Sequence, residues 1–199
     1  MAWIILYTRE NFEGRSLHVY TSIPHLSTYG FDDEVMSITV REGVWMVYQN
    51  AEYGGNSGEG DMALIYPGEY PNMDTVHGNE GNEGRLNSNS MSSLRPMPET
   101  GLVLFNGSWG RGDLWYIHDE FSDPRLSNTN FNDKASSAYV ATSELSSAAP
   151  IPSNWLVFED SDCRGDSQQL GSNPKFYPSF DPKGGVGNDS ISSVKAENR

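Results

Sequence analysis

Cysteine is nearly absent from this chain, with Cys163 standing alone among 199 residues. One thiol closes no internal disulfide and builds no thiolate zinc site, so both kinds of staple are excluded. Histidine is scarce, and His18, His25, His77 and His118 share no H-x-x-H or H-x3-H spacing that would encode a transition-metal cluster. Basic residues are few: 13 Lys and Arg face 27 Asp and Glu, for a formal net charge of −14. That field repels phosphate backbones and anionic lipid, which makes nucleic acid and membrane surfaces poor partners. It attracts hard cations that take oxygen ligands, Ca2+ above all. Long hydrophobic runs are missing too. Met1-Ala2-Trp3-Ile4-Ile5-Leu6-Tyr7 is apolar but short, has no basic leader and runs into Thr8-Arg9-Glu10. It reads as a first strand, with no signal peptide and no membrane span, and a soluble, cytoplasmic protein is expected. Catalytic signatures are also lacking: there is no G-x-S-x-G elbow, H-E-x-x-H, P-loop or Cys/His arrangement, and no enzyme is expected.

Short segments rich in β-branched and aromatic residues dominate: Ile4–Tyr7, Ser37–Val40, Val44–Tyr48, Leu102–Phe105 and Trp155–Phe158, each bounded by Gly, Asn or Asp. No long stretch has helical periodicity, so the expected class is all-β. Internal repetition refines this. An aromatic residue is followed seven positions later by glycine in four places: Tyr7 to Gly14, Tyr48 to Gly55, Phe105 to Gly112 and Phe158 to Gly165. Two residues before each glycine stand Phe12, Tyr53, Gly110 and Cys163, and each unit closes on a serine before an apolar strand: Ser37, Ser93, Ser137 and Ser193. A glycine at a fixed offset marks a left-handed backbone or a close approach, that is, a folded hairpin. The aromatics are expected to pack beneath it, and the serine hydroxyl to tie the last strand back to it. One unit buries too little to stand alone; two make a sandwich, and four make two.

The pattern aromatic-x4-aromatic-x-Gly followed by Ser resembles the Greek key of the βγ-crystallins. Repeat two carries the resemblance furthest, with Gly43–Tyr48, Tyr53-Gly54-Gly55, Pro67-Gly68-Glu69-Tyr70-Pro71 and Ser92-Ser93-Leu94-Arg95-Pro96. The resemblance implies two Greek key β-sandwich domains, 1–97 and 98–199, joined through Met97–Gly101, with Tyr70 as a tyrosine corner. There are departures. Gly110 and Cys163 replace the second aromatic, with Trp109 as the expected filler in repeat three and Cys163 expected buried and inert. Repeat two also carries an acidic, Gly-rich insertion from Thr75 to Asn87, and Ser143 to Asn154 reads as an extended connection.

The family's calcium signature is [N/D]-[N/D]-x-x-[S/T]-S, ending on the closing serine. Asn132-Asp133-Lys134-Ala135-Ser136-Ser137 and Asn188-Asp189-Ser190-Ile191-Ser192-Ser193 match at every position. Calcium takes about six to eight oxygens, and one hexapeptide supplies too few, so two loops must combine. The resemblance implies reciprocal lending, with Asp133, Ser136, Asp189 and Ser192 as side-chain ligands and Asn132 and Asn188 orienting the loops. The same residues suit an ordinary Asx- or Ser-capped turn, but two complete copies in register with an independent repeat favour the ion. The first domain is weaker. Asp32-Asp33-Glu34-Val35-Met36-Ser37 has a thioether at the hydroxyl position, and Ser88-Asn89-Ser90-Met91-Ser92-Ser93 begins on Ser. Lending would leave one position with Asp33 and Ser92, and another with Asn89 and no hydroxyl.

The expected function is therefore a non-enzymatic calcium-binding protein stabilised by Ca2+, with self-association through domain pairing as a further expectation. A calcium-independent structural or stress crystallin, and a glycan or cell-surface recognition module of a larger protein, remain alternatives. Arg111-Gly112-Asp113 and Arg164-Gly165-Asp166 resemble adhesion tripeptides, yet their glycines are those the Greek key requires. Asn106-Gly107-Ser108 and Asn188-Asp189-Ser190 match glycosylation sequons and are read as coincidental.

Overall fold

The computed structural model describes residues 2–57, 60–75, 86–118, 126–141, 154–171, 176–181, 183 and 185–197. Residues 76–85 of the acidic insertion and 143–153 of the extended connection lie outside the described residues. The chain divides into two compact units, Met1–Pro98 and Glu99–Arg199. Every sheet is antiparallel, and short 3-10 turns join the strands. Among the described residues no helix is long and apolar enough to cross a membrane.

In the first unit, β1 (Trp3–Tyr7), β2 (Ser16–Val19) and β3 (Ser37–Glu42) come from repeat one, while β4 (Trp45–Tyr48), β5 (Met62–Ile65), β6 (Gly68–Tyr70) and β7 (Ser93–Pro96) come from repeat two. One sheet runs β2-β1-β3-β6 and the other β5-β4-β7. Repeat two thus gives its third strand to the sheet of repeat one, and repeat one answers with a single bridge, Ile23 to Leu94. This exchange is the Greek key. The second unit has β8 (Gly101–Phe105), β9 (Leu114–Ile117), β10 (Ser137–Ala141), β11 (Asn154–Asp160), β12 (Arg164–Gly171), β13 (Phe176–Tyr177) and β14 (Ser193–Glu197), ordered β13-β10-β8-β9 and β12-β11-β14, and repeats the lending of the third strand, β13 to β10.

Alternation in the sequence decides which face is dry. In the first unit Ile4, Leu6, Ile38 and Val40 face Trp45, Val47, Ala63, Ile65 and Leu94 across the sandwich. In the second, Leu102, Leu104, Ala138 and Val140 share a core with Trp155, Val157, Leu170 and Val194. The two fully buried tryptophans, Trp45 and Trp155, hold equivalent places. Trp115 differs, being exposed on β9.

The hairpin fold-over recurs four times with the same backbone. Two successive residues are left-handed in each: Asn11 and Phe12, Glu52 and Tyr53, Trp109 and Gly110, Asp162 and Cys163, all with φ between 53° and 65°. The closing serine, fully buried in every repeat, holds that kink with two hydrogen bonds. Its hydroxyl accepts from the N–H of Phe12 (3.0 Å), Tyr53 (3.0 Å), Gly110 (2.9 Å) or Cys163 (3.0 Å). It donates to the carbonyl of Arg9 (2.6 Å), Asn50 (2.7 Å), Gly107 (2.6 Å) or Asp160 (2.6 Å). The bond engages the backbone and not the side chain, which is why Gly110 and Cys163 are tolerated where Phe12 and Tyr53 stand. Aromatic packing accompanies it in the first unit, where Tyr7 with Phe12 and Tyr48 with Tyr53 form edge-on pairs at 5.7 and 5.8 Å.

Trp109 takes the backbone place of Asn11 and Glu52, one residue before the corner. One sequence expectation changes here. Cys163 is half-exposed and not buried, because the kink carries it to the rim of the hairpin. The following glycine has φ of +80° at Gly14 and +74° at Gly165, and an added Cβ would come within 2.6 Å of Thr8 Oγ1 or 2.8 Å of Asp160 Oδ2. The left-handed backbone disfavours a side chain at both, and Thr8 Oγ1 adds a close approach at Gly14, whereas at Gly55 no atom lies within 4 Å of the Cβ position.

Tyr70 is a tyrosine corner: its hydroxyl donates to the Tyr66 carbonyl at 2.9 Å and accepts the Tyr66 N–H at 3.2 Å. Tyr177 makes the matching pair with the N–H and carbonyl of Gly171. Tyr70→Phe is expected to cost about 1 kcal/mol. In a thermal melt that corresponds to a fall of roughly 4–8 °C for a unit of this size.

Candidate metal centre

The four hexapeptide loops share one backbone. The second residue of each is left-handed, with φ of 52° at Asp33, 53° at Asn89, 54° at Asp133 and 55° at Asp189. Asn and Asp enter this region more readily than other residues with a Cβ, because a short polar side chain can bond locally. That preference favours Asn and Asp at the second position, the two residue types the signature allows.

Each loop is docked on its partner by the N–H of that residue. Asp33 donates to the carbonyl of Met91 (3.1 Å) and Asn89 to Val35 (2.8 Å). Asp133 donates to Ile191 and Asp189 to Ala135, both at 3.1 Å. The accepting residue directly precedes the fifth position, so the second residue of one loop is always set against the fifth residue of the other. The fifth residue is anchored in turn by its N–H to the strand aromatic: Met36 to Tyr7, Ser92 to Tyr48, Ser136 to Phe105 and Ser192 to Phe158, at 2.8–2.9 Å.

In the second unit the side chains complete the exchange. Ser192 Oγ donates to Asp133 Oδ1 at 2.8 Å, and Ser136 Oγ donates to Asp189 Oδ1 at 2.9 Å. Both hydroxyls are buried, while both carboxylates reach solvent. Ser136 Oγ also lies 3.1 Å from the carbonyl oxygen of Asn106, which adds a third oxygen to the Asp189 position. That carbonyl has no signature in the sequence, since its role comes from its place at the end of β8. At the Asp133 position Asn132 Nδ2 donates to Asp133 Oδ2 at 2.6 Å, and Asn132 Oδ1 is buried with no partner among the described residues. Carboxylate, hydroxyl, amide and carbonyl oxygens are the hard donors that Ca2+ takes and that softer metals do not prefer. Among the described residues there is no group of three or more His, Cys, Asp and Glu that would hold a metal by those residue types alone.

The first unit keeps the backbone and loses part of the chemistry. Asp33 is placed beside Ser92, and Asn89 beside Met36, whose thioether replaces the hydroxyl. Partial burial, and next the neighbouring charge of Asp32, hold the Asp33 carboxyl above its ordinary range. A cation at this position would oppose both effects by favouring the ionised carboxylate.

The two RGD tripeptides differ. Arg111 and Gly112 are half-buried, and the Asp113 carboxylate accepts from Asn106 Nδ2 at 3.3 Å, whereas Arg164, Gly165 and Asp166 are exposed at the start of β12. Asn106 of the first sequon is part of this hairpin, and Asn188 of the second lies in a calcium-type loop.

A family model described as Beta/Gamma crystallin matches residues 3–97. A "Beta/gamma-crystallin" of Ciona intestinalis is 36% identical over 80 residues, covering 40% of this chain and 89% of the relative. The chain belongs to the βγ-crystallin family. Beta-crystallin B1 of Sus scrofa is 28% identical over 143 residues, 70% of this βγ-crystallin and 52% of the relative, so the chain spans about half the length of that longer protein. Among solved structures, Geodin, a βγ-crystallin from Geodia cydonium, superposes with a TM-score of 0.68 at 21% identity, covering 98% of this chain and 99% of that one. At that identity the likeness shows the fold.

Proposed function

We propose that this βγ-crystallin is a non-enzymatic calcium-binding protein whose folded state is stabilised by Ca2+, chiefly through its second unit. The carrying observation is the reciprocal pairing of Asp133 with Ser192 and of Asp189 with Ser136. An isolated Asx turn satisfies itself within its own loop; here each carboxylate is bonded across more than fifty residues to the partner loop. Asp133 and Ser192 would hold one ion, with Asn132 orienting the carboxylate, and Asp189, Ser136 and the Asn106 carbonyl the other. In the first unit Asp33 and Ser92 would hold a third, and Asn89 remains without a hydroxyl partner. A bound Ca2+ supplies the positive charge against which these oxygens converge. The serine hydroxyls now point a proton at the carboxylates, and rotation about Cβ–Oγ turns a lone pair to the site instead.

Coupling to stability follows from linkage: a ligand taken up only by the folded form adds about 2.7 kcal/mol per site at a hundredfold excess over Kd. Differential scanning calorimetry of the full chain in calcium and in EGTA tests this. A melt several degrees higher in calcium is expected, and superimposable melts would defeat the reading in favour of a calcium-independent structural protein.

The defective position is repairable on this account, because Met36 and Ser136 share their backbone anchor. Met36→Ser is expected to raise the calcium stoichiometry by about one ion per chain, since it returns a hard oxygen beside Asn89. An unchanged stoichiometry would show that the thioether is not what disables the position.

A further inference from the structure

The two positions of the second unit match in sequence signature and in the left-handed backbone of their second residue. The Asn106 carbonyl adds an oxygen at the Asp189 position, and the remaining differences lie in side chains. At Asp189 the carboxylate is held through one oxygen, by Ser136. Asn188 is exposed and makes no side-chain hydrogen bond among the described residues. At Asp133 both carboxylate oxygens are held, Oδ1 by Ser192 and Oδ2 by the Asn132 amide at 2.6 Å. Asn132 is half-buried, and its amide oxygen is shut off from solvent with nothing among the described residues to pair it.

We infer that Asn132 is a positioning residue that clamps the Asp133 carboxylate and makes the Asp133–Ser192 position the tighter of the two calcium sites. This rests on the calcium reading above and deepens it. The orientation of the amide is fixed by its neighbour, because a flipped amide would set its oxygen against a carboxylate oxygen. With Nδ2 on Oδ2, the Asp133 side chain has little torsional freedom left to lose when an ion arrives, whereas Asp189 must give up more. The clamp leaves lone pairs free, since an ionised carboxylate offers about four acceptor positions and two are in use. It also leaves Asn132 Oδ1 buried without a donor, a cost that a cation-bound water or the ion itself removes. Asn188, lying in solvent, has no such cost to recover. Identical signatures thus give unequal sites.

The test is a calcium titration of the full chain by isothermal calorimetry for wild type, Asn132→Ala and Asn188→Ala, with melts in EGTA to verify folding. Wild type is expected to show two affinities in the second unit. Removing an outer partner of a ligand typically weakens a metal site about 10–100-fold, and Asn132→Ala is expected to do so at the tighter site, bringing the two affinities together. Asn188→Ala is expected to change affinity by no more than about threefold, having no bond to the ligand to remove. The Asn132 side-chain amide resonances, followed in a nitrogen-15 correlation spectrum, are expected to shift with filling of the tighter site. Equal effects of the two replacements, or an Asn132→Ala titration that overlays the wild type, would overturn the inference while leaving calcium binding intact. No binding by the wild type would instead remove the reading beneath it.

Discussion

An Asp133→Ala, Asp189→Ala double variant is expected to lose the calcium-dependent rise in melting temperature of the second unit and to melt lower in EGTA as well. The two losses have different causes. Each filled position contributes about 2.7 kcal/mol at a hundredfold excess over Kd, and removing both carboxylates removes both contributions. The EGTA loss comes from the backbone. Both residues are left-handed, with φ of 54° and 55°, a region that costs an ordinary residue about 1–2 kcal/mol each. An Asp133→Asn, Asp189→Asn variant separates the two. Asn tolerates the left-handed backbone and still accepts the Ser192 and Ser136 hydroxyls, so its EGTA melt should stay near the wild type. Its calcium affinity should fall, because affinity follows ligand charge count. Should the Asn variant keep the full calcium shift, the carboxylate charges would not be what holds the ion.

The second large effect belongs to the closing serine. Ser193→Ala removes a donor to the Asp160 carbonyl and an acceptor for the Cys163 N–H, both inside the hairpin fold-over. Two backbone groups then lose their partners at about 1–3 kcal/mol each, and the variant is expected to be roughly 2–6 kcal/mol less stable in EGTA. For a unit of about 100 residues this amounts to a melting temperature lower by roughly 10 °C or more. Ser137→Ala should match it, since Ser137 makes the same two bonds with Gly107 and Gly110. A loss under about 1 kcal/mol would mean that water reaches the kink and satisfies the freed groups.

These two cases mark what residue patterns carry and what they do not. The Greek key repeat was readable because its constraints fall on side-chain identity: glycine where Thr8 Oγ1 or Asp160 Oδ2 crowds the Cβ position, and serine where a buried hydroxyl must both give and accept. The paired hexapeptide loops were readable for the same reason, since Asn and Asp enter the left-handed backbone at their second position more readily than other residues with a Cβ. The paired left-handed residues before each glycine were not readable, because Asn11, Glu52, Trp109 and Asp162 have no side-chain chemistry in common. Gly110 and Cys163 depart from the aromatic pattern at places where a backbone N–H, and no side chain, meets a serine. The Asn106 carbonyl was invisible for a similar reason, as a main-chain oxygen gains its role from where β8 ends. The difference between Asn132 and Asn188 is likewise a matter of burial, at equivalent positions of the same signature.

The most direct measurement is the calcium stoichiometry of the full chain by isothermal calorimetry. Oxygens lent between paired loops predict about two to three ions per chain, two of them lost together in the Asp133→Ala, Asp189→Ala variant. A flat titration, or binding that survives that variant undiminished, would contradict the account.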